Sequence, residues 1–282
     1  MSLGRLLDDA VASGKVRAAE LQITSKMDII EGTQDGESTE RALLHGYGRR
    51  FRTLLDACPA AFGALTKLTI QMVKLDKLDL DDILLTCTRL EDLTLKYCVP
   101  GPGVLWQVRH ARLTDMKISL CGIRSINLGW LPRLERFAFK GWNLATSHDL
   151  VSFGHVPRLS TVTLSQDSIY SDETLKLSRI LPNTALKDLR LNFRGSNIWV
   201  QPETSRRLTY VFCNLKNLKI RNVHRECGLS WTMFLLQNAP HLQDLYKRHS
   251  KILQVAKVQL ASEKNSKISL VHGSHELCFL ML

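Results

Sequence analysis

Residues 90–98 read Leu-Glu-Asp-Leu-Thr-Leu-Lys-Tyr-Cys, which is the spacing L-x-x-L-x-L-x-x-C. Leu93 and Leu95 alternate with the polar residues on either side of them, as in a β-strand that buries one face. Cys98 stands three residues after the second of these leucines, where the chain is expected to turn away from the strand. The stretch therefore predicts a short strand with one apolar face and one polar face, followed by a turn.

The same spacing recurs along the chain, and successive copies begin 21 to 29 residues apart. Such an interval is typical of leucine-rich repeats, in which each repeat adds one parallel strand and returns along the outer side. We therefore predict an α/β fold, a leucine-rich-repeat solenoid shaped as a curved horseshoe. Its concave side is a parallel β-sheet, and its convex side carries short helices or extended segments. The matching triplets are Leu65/Leu68/Ile70, Leu90/Leu93/Leu95, Leu113/Met116/Ile118, Leu134/Phe137/Phe139, Leu159/Val162/Leu164, Leu186/Leu189/Leu191 and Leu215/Leu218/Ile220.

The repeat pattern divides the chain into three segments. Residues 1–60 are predicted to form an N-terminal cap with a helix, a first strand, an acidic loop and a second helix that ends at Ala57. Residues 61–246 hold the repeats, and residues 247–282 form a basic tail of divergent sequence. Lys247 stands where the third apolar residue of a further repeat belongs, which indicates that the register ends there.

The segments between the strands are predicted to differ in structure. Asp79 or Asp81 is placed to cap a short helix that ends near Cys87. Ser171 and Ser230 are placed to begin two further helices. One repeat instead carries a second strand-like pattern of apolar residues, namely Ile123, Ile126 and Leu128.

The composition predicts a soluble protein that works in the cytoplasm or the nucleus. No apolar run approaches the roughly 20 residues of a membrane span, and the first residues lack a signal-peptide core. Seven cysteines without a C-x-x-C pair argue against a disulfide framework and against a zinc site. We therefore expect no membrane partner, no metal and no cofactor. Cys98 and Cys121, at turn positions, are expected to pack in the core.

The sequence carries none of the common catalytic motifs. There is no phosphate-binding G-x-x-x-x-G-K-[ST], no zinc-binding H-E-x-x-H and no nucleophile elbow G-x-S-x-G. His224, Glu226 and Cys227 lie close in sequence, but a nucleophile and its base need a shared geometry rather than adjacency. We interpret these three residues as part of a loop and the five tryptophans as packing residues of the outer layer. No catalytic residues and no enzyme activity are expected.

Stretches outside the strand triplets carry a resemblance to a known family. Over about residues 3–246, the sequence resembles the leucine-rich region of plant F-box/leucine-rich-repeat proteins, in particular the FBD-type class of grasses. The stretches that carry the resemblance are residues 5–7 (RLL), 13–20 (SGKVRAAE), 56–59 (DACP), 128–134 (LGWLPRL), 152–157 (SFGHVP), 198–203 (IWVQPE) and 229–237 (LSWTMFLLQ).

The resemblance implies a function in target recognition. In that family the repeats recruit a target, and an N-terminal F-box docks to a Skp1-type adaptor of a cullin ubiquitin ligase. This chain begins after the place where the F-box would stand, so the resemblance implies the substrate-recognition region of a receptor that has lost its F-box. Binding of a protein target is therefore expected, whereas docking to a Skp1-type adaptor is not.

The candidate binding surface is the polar face of the strands, which a solenoid presents on its concave side. The face positions of the seven strands hold eight basic and three acidic residues, so this face is expected to be positive. A surface with one sign of charge concentrates ligands of the opposite sign. We therefore predict a protein target with an acidic or phosphorylated segment. The predicted binding residues are Lys67, Asp92, Thr94, Lys96, Asp115, Lys117, Arg136, Lys140, Thr163, Arg190, Asn192, Lys219 and Arg221.

Two alternatives to this interpretation stay open. Lysine and arginine on exposed strand positions also serve solubility alone, without any ligand. A basic scaffold that binds nucleic acid or other phosphorylated ligands is the second alternative, although the counted face positions hold no aromatic residue on which bases could stack.

Overall fold

The computed structural model describes residues 9, 11–13, 19–24, 48–75, 77–101, 104–123, 125–142, 151–166, 174–193, 198–223, 229–249, 256–260, 268–272 and 277–281. The chain forms two compact units. Unit 1 comprises Met1–Leu134 and Gly154–Val156, and unit 2 comprises Glu135–Phe153 and Pro157–Leu282. Within the described ranges, no helix is both long and apolar enough to cross a membrane.

Unit 1 is built from repeats that each contribute one strand to a parallel sheet. Its described helices are α1 (48–57), α2 (Pro59–Gly63) and α3 (Lys77–Thr86). Its described strands are β1 (Ala19–Thr24), β2 (Leu65–Gln71), β3 (Lys74–Leu75), β4 (Asp92–Lys96), β5 (Val99–Pro100), β6 (Trp106–Arg109), β7 (Asp115–Ser119) and β8 (Ile126–Trp130).

The apolar spacing sets the register of the unit 1 sheet, in which β1, β2, β4 and β7 run parallel. Leu93 on β4 lies opposite Leu68 on one neighbouring strand and Met116 on the other, and all three side chains are fully buried. A slip of one residue would turn every leucine to the polar face, so burial of one face fixes the pairing. The predicted first strand is confirmed, because Leu21 on β1 lies opposite Leu68.

Both helical and extended segments connect the strands of unit 1. Helix α3 ends at Thr86, beside Cys87, as predicted, but it begins at Lys77. The prediction that Asp79 or Asp81 caps this helix is therefore wrong, because both residues lie inside it. The later connections contain the strands β6 and β8, which pair in parallel. The second strand-like pattern predicted around Ile126 is thereby confirmed.

His110, which follows β6, is a buried link between two repeats of unit 1. Its Nε2 lies 3.0 Å from the carbonyl oxygen of Cys87, and its Nδ1 accepts bonds from the N–H groups of Arg112 and Leu113 at 3.2 and 3.1 Å. Because Nδ1 accepts these bonds, the ring is neutral and Nε2–H donates to Cys87. Burial lowers the pKa of His110, the bond to Cys87 partly opposes this, and the charge of Arg112 lowers it further.

We expect the free energy of unfolding to fall as the pH drops from about 7 to about 5. In the unfolded chain His110 takes up a proton near the ordinary histidine pKa of about 6.5, whereas in the folded chain its pKa is lower. The stability that the folded chain owes to neutral His110 is therefore complete above about pH 6.5 and is lost as the pH falls below it. The variant His110→Asn keeps an acceptor for the two N–H groups but does not titrate. Urea unfolding at both pH values measures the loss. An equal loss in the variant would show that His110 is not responsible.

Unit 2 repeats the same arrangement with a larger share of aromatic residues. Its described helices are α4 (Leu177–Ile180), α5 (Arg206–Phe212) and α6 (Leu229–Asn238). Its described strands are β9 (Arg136–Trp142), β10 (Val151–His155, whose last two residues belong to unit 1), β11 (Thr161–Gln166), β12 (Leu175–Lys176), β13 (Asp188–Asn192), β14 (Val200–Gln201), β15 (Asn217–Val223), β16 (Asp244–His249), β17 (Ala256–Leu260), β18 (Ile268–His272) and β19 (Leu277–Met281).

The strands β9, β11, β13, β15 and β16 of unit 2 run parallel, again with apolar residues in register. Leu189 lies opposite Val162 on one side and Leu218 on the other. The helix predicted to begin at Ser230 is confirmed, since α6 begins one residue earlier. The predicted helix start at Ser171 lies outside the described residues. Both units therefore have the predicted α/β class, with one parallel strand in each repeat.

Aromatic side chains pack in the layer behind the unit 2 sheet. The ring of Phe193 stacks on Trp199 at a centroid distance of 5.2 Å and meets Trp231 edge-on at 5.3 Å. Both tryptophans are buried, as is Trp106 in unit 1. The packing prediction is confirmed for these three tryptophans, but it is wrong for Trp130, which is 47% exposed.

Strand β16 continues the repeat register through Lys247. Leu245 lies opposite Leu218, and Lys247 lies opposite Ile220, at the position of the third apolar residue. Lys247 is buried, and its Nζ donates to Oγ1 of Thr232 at 3.1 Å. The prediction that the register ends at Lys247 is therefore wrong. A hydrogen-bonded amine occupies the apolar position, because a partner offsets part of the cost of burying it.

The described strands of the tail extend the sheet of unit 2 with a different pairing. Strand β17 runs antiparallel to β16, β19 runs parallel to β17, and β18 runs antiparallel to β19. The outer edge of β16 is therefore paired, so its backbone N–H and C=O groups are not left as an open sheet edge.

Candidate functional site

The predicted binding residues of unit 1 lie on the polar face of β2, β4 and β7. Lys67 and Lys117 are exposed, whereas Asp92 and Lys96 are half-buried. Two further predicted residues, Thr94 and Asp115, lie on the same strands but are buried. Their contribution to binding stays a prediction, and the surface that unit 1 offers at these two positions is small.

The acidic groups on the unit 1 face are held by neighbouring side chains. Asp92 forms an ion pair with Lys117 at 3.3 Å between Oδ2 and Nζ, and its Oδ1 accepts a bond from the Thr94 hydroxyl at 3.2 Å. The Asp115 carboxylate accepts a bond from the Thr114 hydroxyl at 3.0 Å. The ion pair compensates the charge of Lys117, one of the three lysines on this face, locally.

The predicted binding residues of unit 2 lie on the polar face of β9, β11, β13 and β15. Four of them are exposed, namely Arg136, Lys140, Arg190 and Arg221. The other three are half-buried, namely Thr163, Asn192 and Lys219. This face holds five basic residues and one acidic residue, Asp188, so the positive charge predicted from the sequence is concentrated in unit 2.

Two cations of the unit 2 face lie directly opposite each other. Arg190 on β13 is the register partner of Lys219 on β15, and neighbouring strands lie about 4.8 Å apart. Like charges in this position destabilise a sheet. The nearby carboxylate of Asp188 accepts a bond from the Asn217 side chain at 2.8 Å, and no ion pair of Arg190 or Lys219 occurs among the described residues. An anionic ligand would remove this repulsion.

Polar groups also line the ends of these strands in unit 2. Ser165 lies opposite Lys140 on one side and Asn192 on the other, and Asn192 lies opposite Arg221. The Ser165 hydroxyl is buried and has no hydrogen-bond partner among the described residues. Buried polar groups are rarely unpaired, but this hydroxyl has almost no accessible surface, so it adds no donor to the exposed part of the face.

Tyr246 is a residue of the unit 2 face that the sequence pattern did not identify. It lies opposite Lys219 on β16, and the guanidinium carbon of Arg221 is 5.9 Å from the centre of its ring, within cation–π range. The apolar pair Leu242 and Leu245 was the available signal, but Lys247 breaks the apolar pattern at the third position. The counted positions of the seven strands hold no aromatic residue, as stated, but β16 adds Tyr246 to the face.

Four of the five cysteines with described side chains pack in the interior, and Cys213 is half-buried. Cys98 N–H donates to the sulfur of Cys121 at 3.4 Å, and both side chains are buried, so their predicted packing role is confirmed. The hydrogen bond with Cys121 and burial raise the pKa of the Cys98 thiol. Burial raises the pKa of Cys87 to about 12. Thiols that stay protonated are poor nucleophiles.

Other candidate groups from the sequence lie outside the described residues, namely His224, Glu226, Cys227 and the side chain of Trp142. In the part of the chain that the structure describes, no cluster of three or more histidine, cysteine, aspartate or glutamate side chains could hold a metal ion. The arrangement that remains is a surface of cations and hydrogen-bonding side chains on the strands.

Comparison with known proteins agrees with the repeat architecture. Residues 36–174 match the family model described as "FBD-associated F-box protein At5g56370, LRR repeats". No curated protein and no solved structure shows a significant match to the chain. The fold is an α/β leucine-rich-repeat solenoid, and its repeats form a module of the protein–protein interaction type. The match covers just under half of the chain, and over residues 36–174 the chain is similar to the leucine-rich repeats of FBD-associated F-box proteins.

Proposed function

We propose that the chain recruits a protein target through its repeats, as the substrate-recognition region of an F-box/leucine-rich-repeat type of ubiquitin-ligase receptor. The family match supports a recognition module, and the cationic face of unit 2 supports a target with an acidic segment. The observation that carries the proposal is the opposition of Arg190 and Lys219, which an acidic side chain would bridge.

The proposal places the chain in the cytoplasm or the nucleus, where cullin ubiquitin ligases act. It assigns no catalytic step to the chain, and it does not include a Skp1-type adaptor as a partner of the repeats. A rigid sheet that presents cations and hydroxyls binds by complementarity of charge, which raises the rate of encounter and selects the partner. The chemistry of ubiquitin transfer would belong to other components of the ligase.

A second candidate function is the binding of single-stranded nucleic acid. Tyr246 favours it, because its ring lies among Lys219 and Arg221 and could stack on a base. In this case, affinity would fall steeply with salt for oligonucleotides of unrelated sequence, because each contacted phosphate releases counterions.

We expect the double variant Arg190→Glu/Lys219→Glu to bind a glutamate-rich peptide at least about tenfold more weakly than the parent chain. The reversal places two carboxylates where the peptide's own carboxylates would bind. The matched control is Lys187→Glu/Lys216→Glu, which makes the same charge change at exposed residues just ahead of the same two strands. Fluorescence anisotropy with the labelled peptide measures all three affinities.

The outcomes of this experiment separate the two candidate functions. Equal weakening in the face variant and the control variant would mean that net charge alone, and not the unit 2 face, attracts the peptide. Binding of a single-stranded oligonucleotide with a steep salt dependence, without binding of the peptide, would favour the nucleic-acid function. The ligase role has its own test, since depletion of the chain from cells should raise the abundance of a protein captured by the parent and not by the face variant.

A further inference from the structure

Three bulky residues of unit 1 have a left-handed backbone at the same place in consecutive repeats. Met72, Tyr97 and Leu120 have φ angles of 57°, 51° and 54°. Each stands seven residues after the first leucine of its repeat, directly before the turn residue, which is Val73, Cys98 or Cys121. We call this place the pre-turn position, and we call the row of Met72, Tyr97 and Leu120 the pre-turn ridge.

Backbone hydrogen bonds align the pre-turn ridge across the unit 1 sheet. The N–H of Met72 donates to the carbonyl of Lys96, and the N–H of Tyr97 donates to the carbonyl of Ser119, both at 3.0 Å. These bonds continue the ladder between β2, β4 and β7 by one residue. The three pre-turn residues therefore follow one another at the strand spacing of about 4.8 Å.

The choice of residue types at this position costs stability in unit 1. A left-handed φ angle is easily adopted by glycine and tolerated by asparagine, but it is strained for larger side chains. Unit 2 uses the tolerant types where it has the same backbone, because its left-handed pre-turn residues are Gly141, with φ 75°, and Asn222, with φ 56°. Unit 1 has the same backbone with three apolar side chains instead.

This strain is not explained by packing of Tyr97 in the interior. The Tyr97 side chain is 45% exposed, and Val99, two residues later, is 39% exposed. Backbone strain that persists at an exposed side chain is typical of a functional surface. Tyrosine is also enriched at the centres of protein interfaces, because it offers a large apolar area at a low entropy cost.

The surroundings of the ridge determine the chemistry of its partner. Lys96 directly precedes Tyr97 and makes no ion pair among the described residues, whereas the other unit 1 cation on the same two strands, Lys117, is paired with Asp92. The ridge therefore offers one exposed ring, that of Tyr97, between the half-buried side chains of Met72 and Leu120 and beside one positive charge without an ion pair. A segment with an apolar side chain next to a carboxylate is complementary to it.

We propose that the pre-turn ridge of Met72, Tyr97 and Leu120 is a docking surface for a protein segment that carries an apolar side chain beside a carboxylate. This inference rests on the proposed function in target recognition and adds an apolar anchor to it. In this arrangement the exposed ring of Tyr97 contacts the apolar side chain of the partner, and Lys96 binds the neighbouring carboxylate.

The experiment compares two labelled peptides that differ in a single residue. One carries a phenylalanine between glutamates, and the other carries a serine in its place. The chain is tested as the parent and as Tyr97→Asn, which removes the ring but suits the left-handed backbone. The matched control is Tyr210→Asn, which removes a tyrosine that is 52% exposed on α5 in unit 2. Anisotropy gives the affinities, and thermal melting gives the stability of each chain.

We expect the parent and Tyr210→Asn to bind the phenylalanine peptide about tenfold more tightly than the serine peptide. In Tyr97→Asn this preference disappears, while its melting temperature equals or exceeds that of the parent, because strain is relieved. Retention of the preference in Tyr97→Asn, or a lower melting temperature for this variant, would overturn the inference.

Two further outcomes separate this inference from the proposed function. If both peptides bind the parent equally and the Arg190→Glu/Lys219→Glu variant binds neither, the ridge is not an anchor but recognition of acidic segments stands. If neither peptide binds the parent, both proposals fail.

Discussion

We expect the substitution Leu93→Ala to lower the free energy of unfolding by about 2 to 5 kcal/mol. Leu93 is fully buried at the centre of β4, between Leu68 on one neighbouring strand and Met116 on the other. Truncation removes apolar contacts and leaves a cavity that strands on both sides prevent from closing, because the register of the sheet holds their backbones in place. Urea unfolding followed by circular dichroism measures the change.

The matched control for Leu93 is Leu85→Ala in the preceding repeat. Leu85 lies on α3 and is 74% exposed, so its truncation leaves no cavity and should change the unfolding free energy by no more than about 0.5 kcal/mol. Equal stability losses at the two positions would mean that burial on the sheet does not set the cost. A midpoint for Leu93→Ala equal to that of the parent would contradict the register of β4 itself.

The strands and their register were predictable because their signal is local and redundant. The alternation of apolar and polar residues, as in Leu93-Thr94-Leu95, indicates which face of the strand is buried. The pairing of parallel strands then follows, because their buried faces must match. The spacing between repeats added an independent check, since equivalent residues recur within the interval of one repeat. The class of fold thus needed no information about distant contacts.

Lys247 was misread because its environment depends on a residue far away in sequence. A lysine in an apolar position ordinarily indicates a break in the pattern. Here its amine reaches the hydroxyl of Thr232, which lies 15 residues earlier on α6. The sequence pattern gives the position of Lys247 but not the hydrogen bond that makes its burial tolerable. Because the pattern therefore places the end of the repeats before Lys247, the predicted face does not include Tyr246, which lies on the same strand.

The candidate site was predicted as a set of positions but not as a distribution of charge. The ion pair between Lys117 and Asp92 joins residues 25 apart, so cross-strand contacts decide which cations of a face are compensated locally. The pre-turn ridge had a weaker signal still. Gly141 and Asn222 are residue types that suggest a left-handed backbone, whereas Tyr97 at the equivalent position suggests nothing of the kind.

We expect the substitution Gly154→Ala to destabilise unit 1 by on the order of 3 kcal/mol. The backbone of Gly154 lies against Gly129, so that an added Cβ would overlap the carbonyl oxygen of Gly129. The adjacent contact is a backbone hydrogen bond of 2.9 Å from the N–H of Leu131 to the carbonyl of His155. The clash therefore cannot be relieved by a side-chain rotation and requires two backbone segments to separate, with loss of that bond.

The chain offers a glycine control of the same size for Gly154. At Gly122 an added Cβ would have its nearest neighbour, Cγ1 of Val99, at 4.0 Å, which is an ordinary contact distance. We expect Gly122→Ala to leave the urea midpoint unchanged or to raise it slightly, because alanine restricts the unfolded chain more than glycine does. If Gly154→Ala were as stable as this control, the close approach of the two glycine backbones would not exist in solution. A loss confined to Gly154→Ala would instead show that glycine is required there by contact between two backbones.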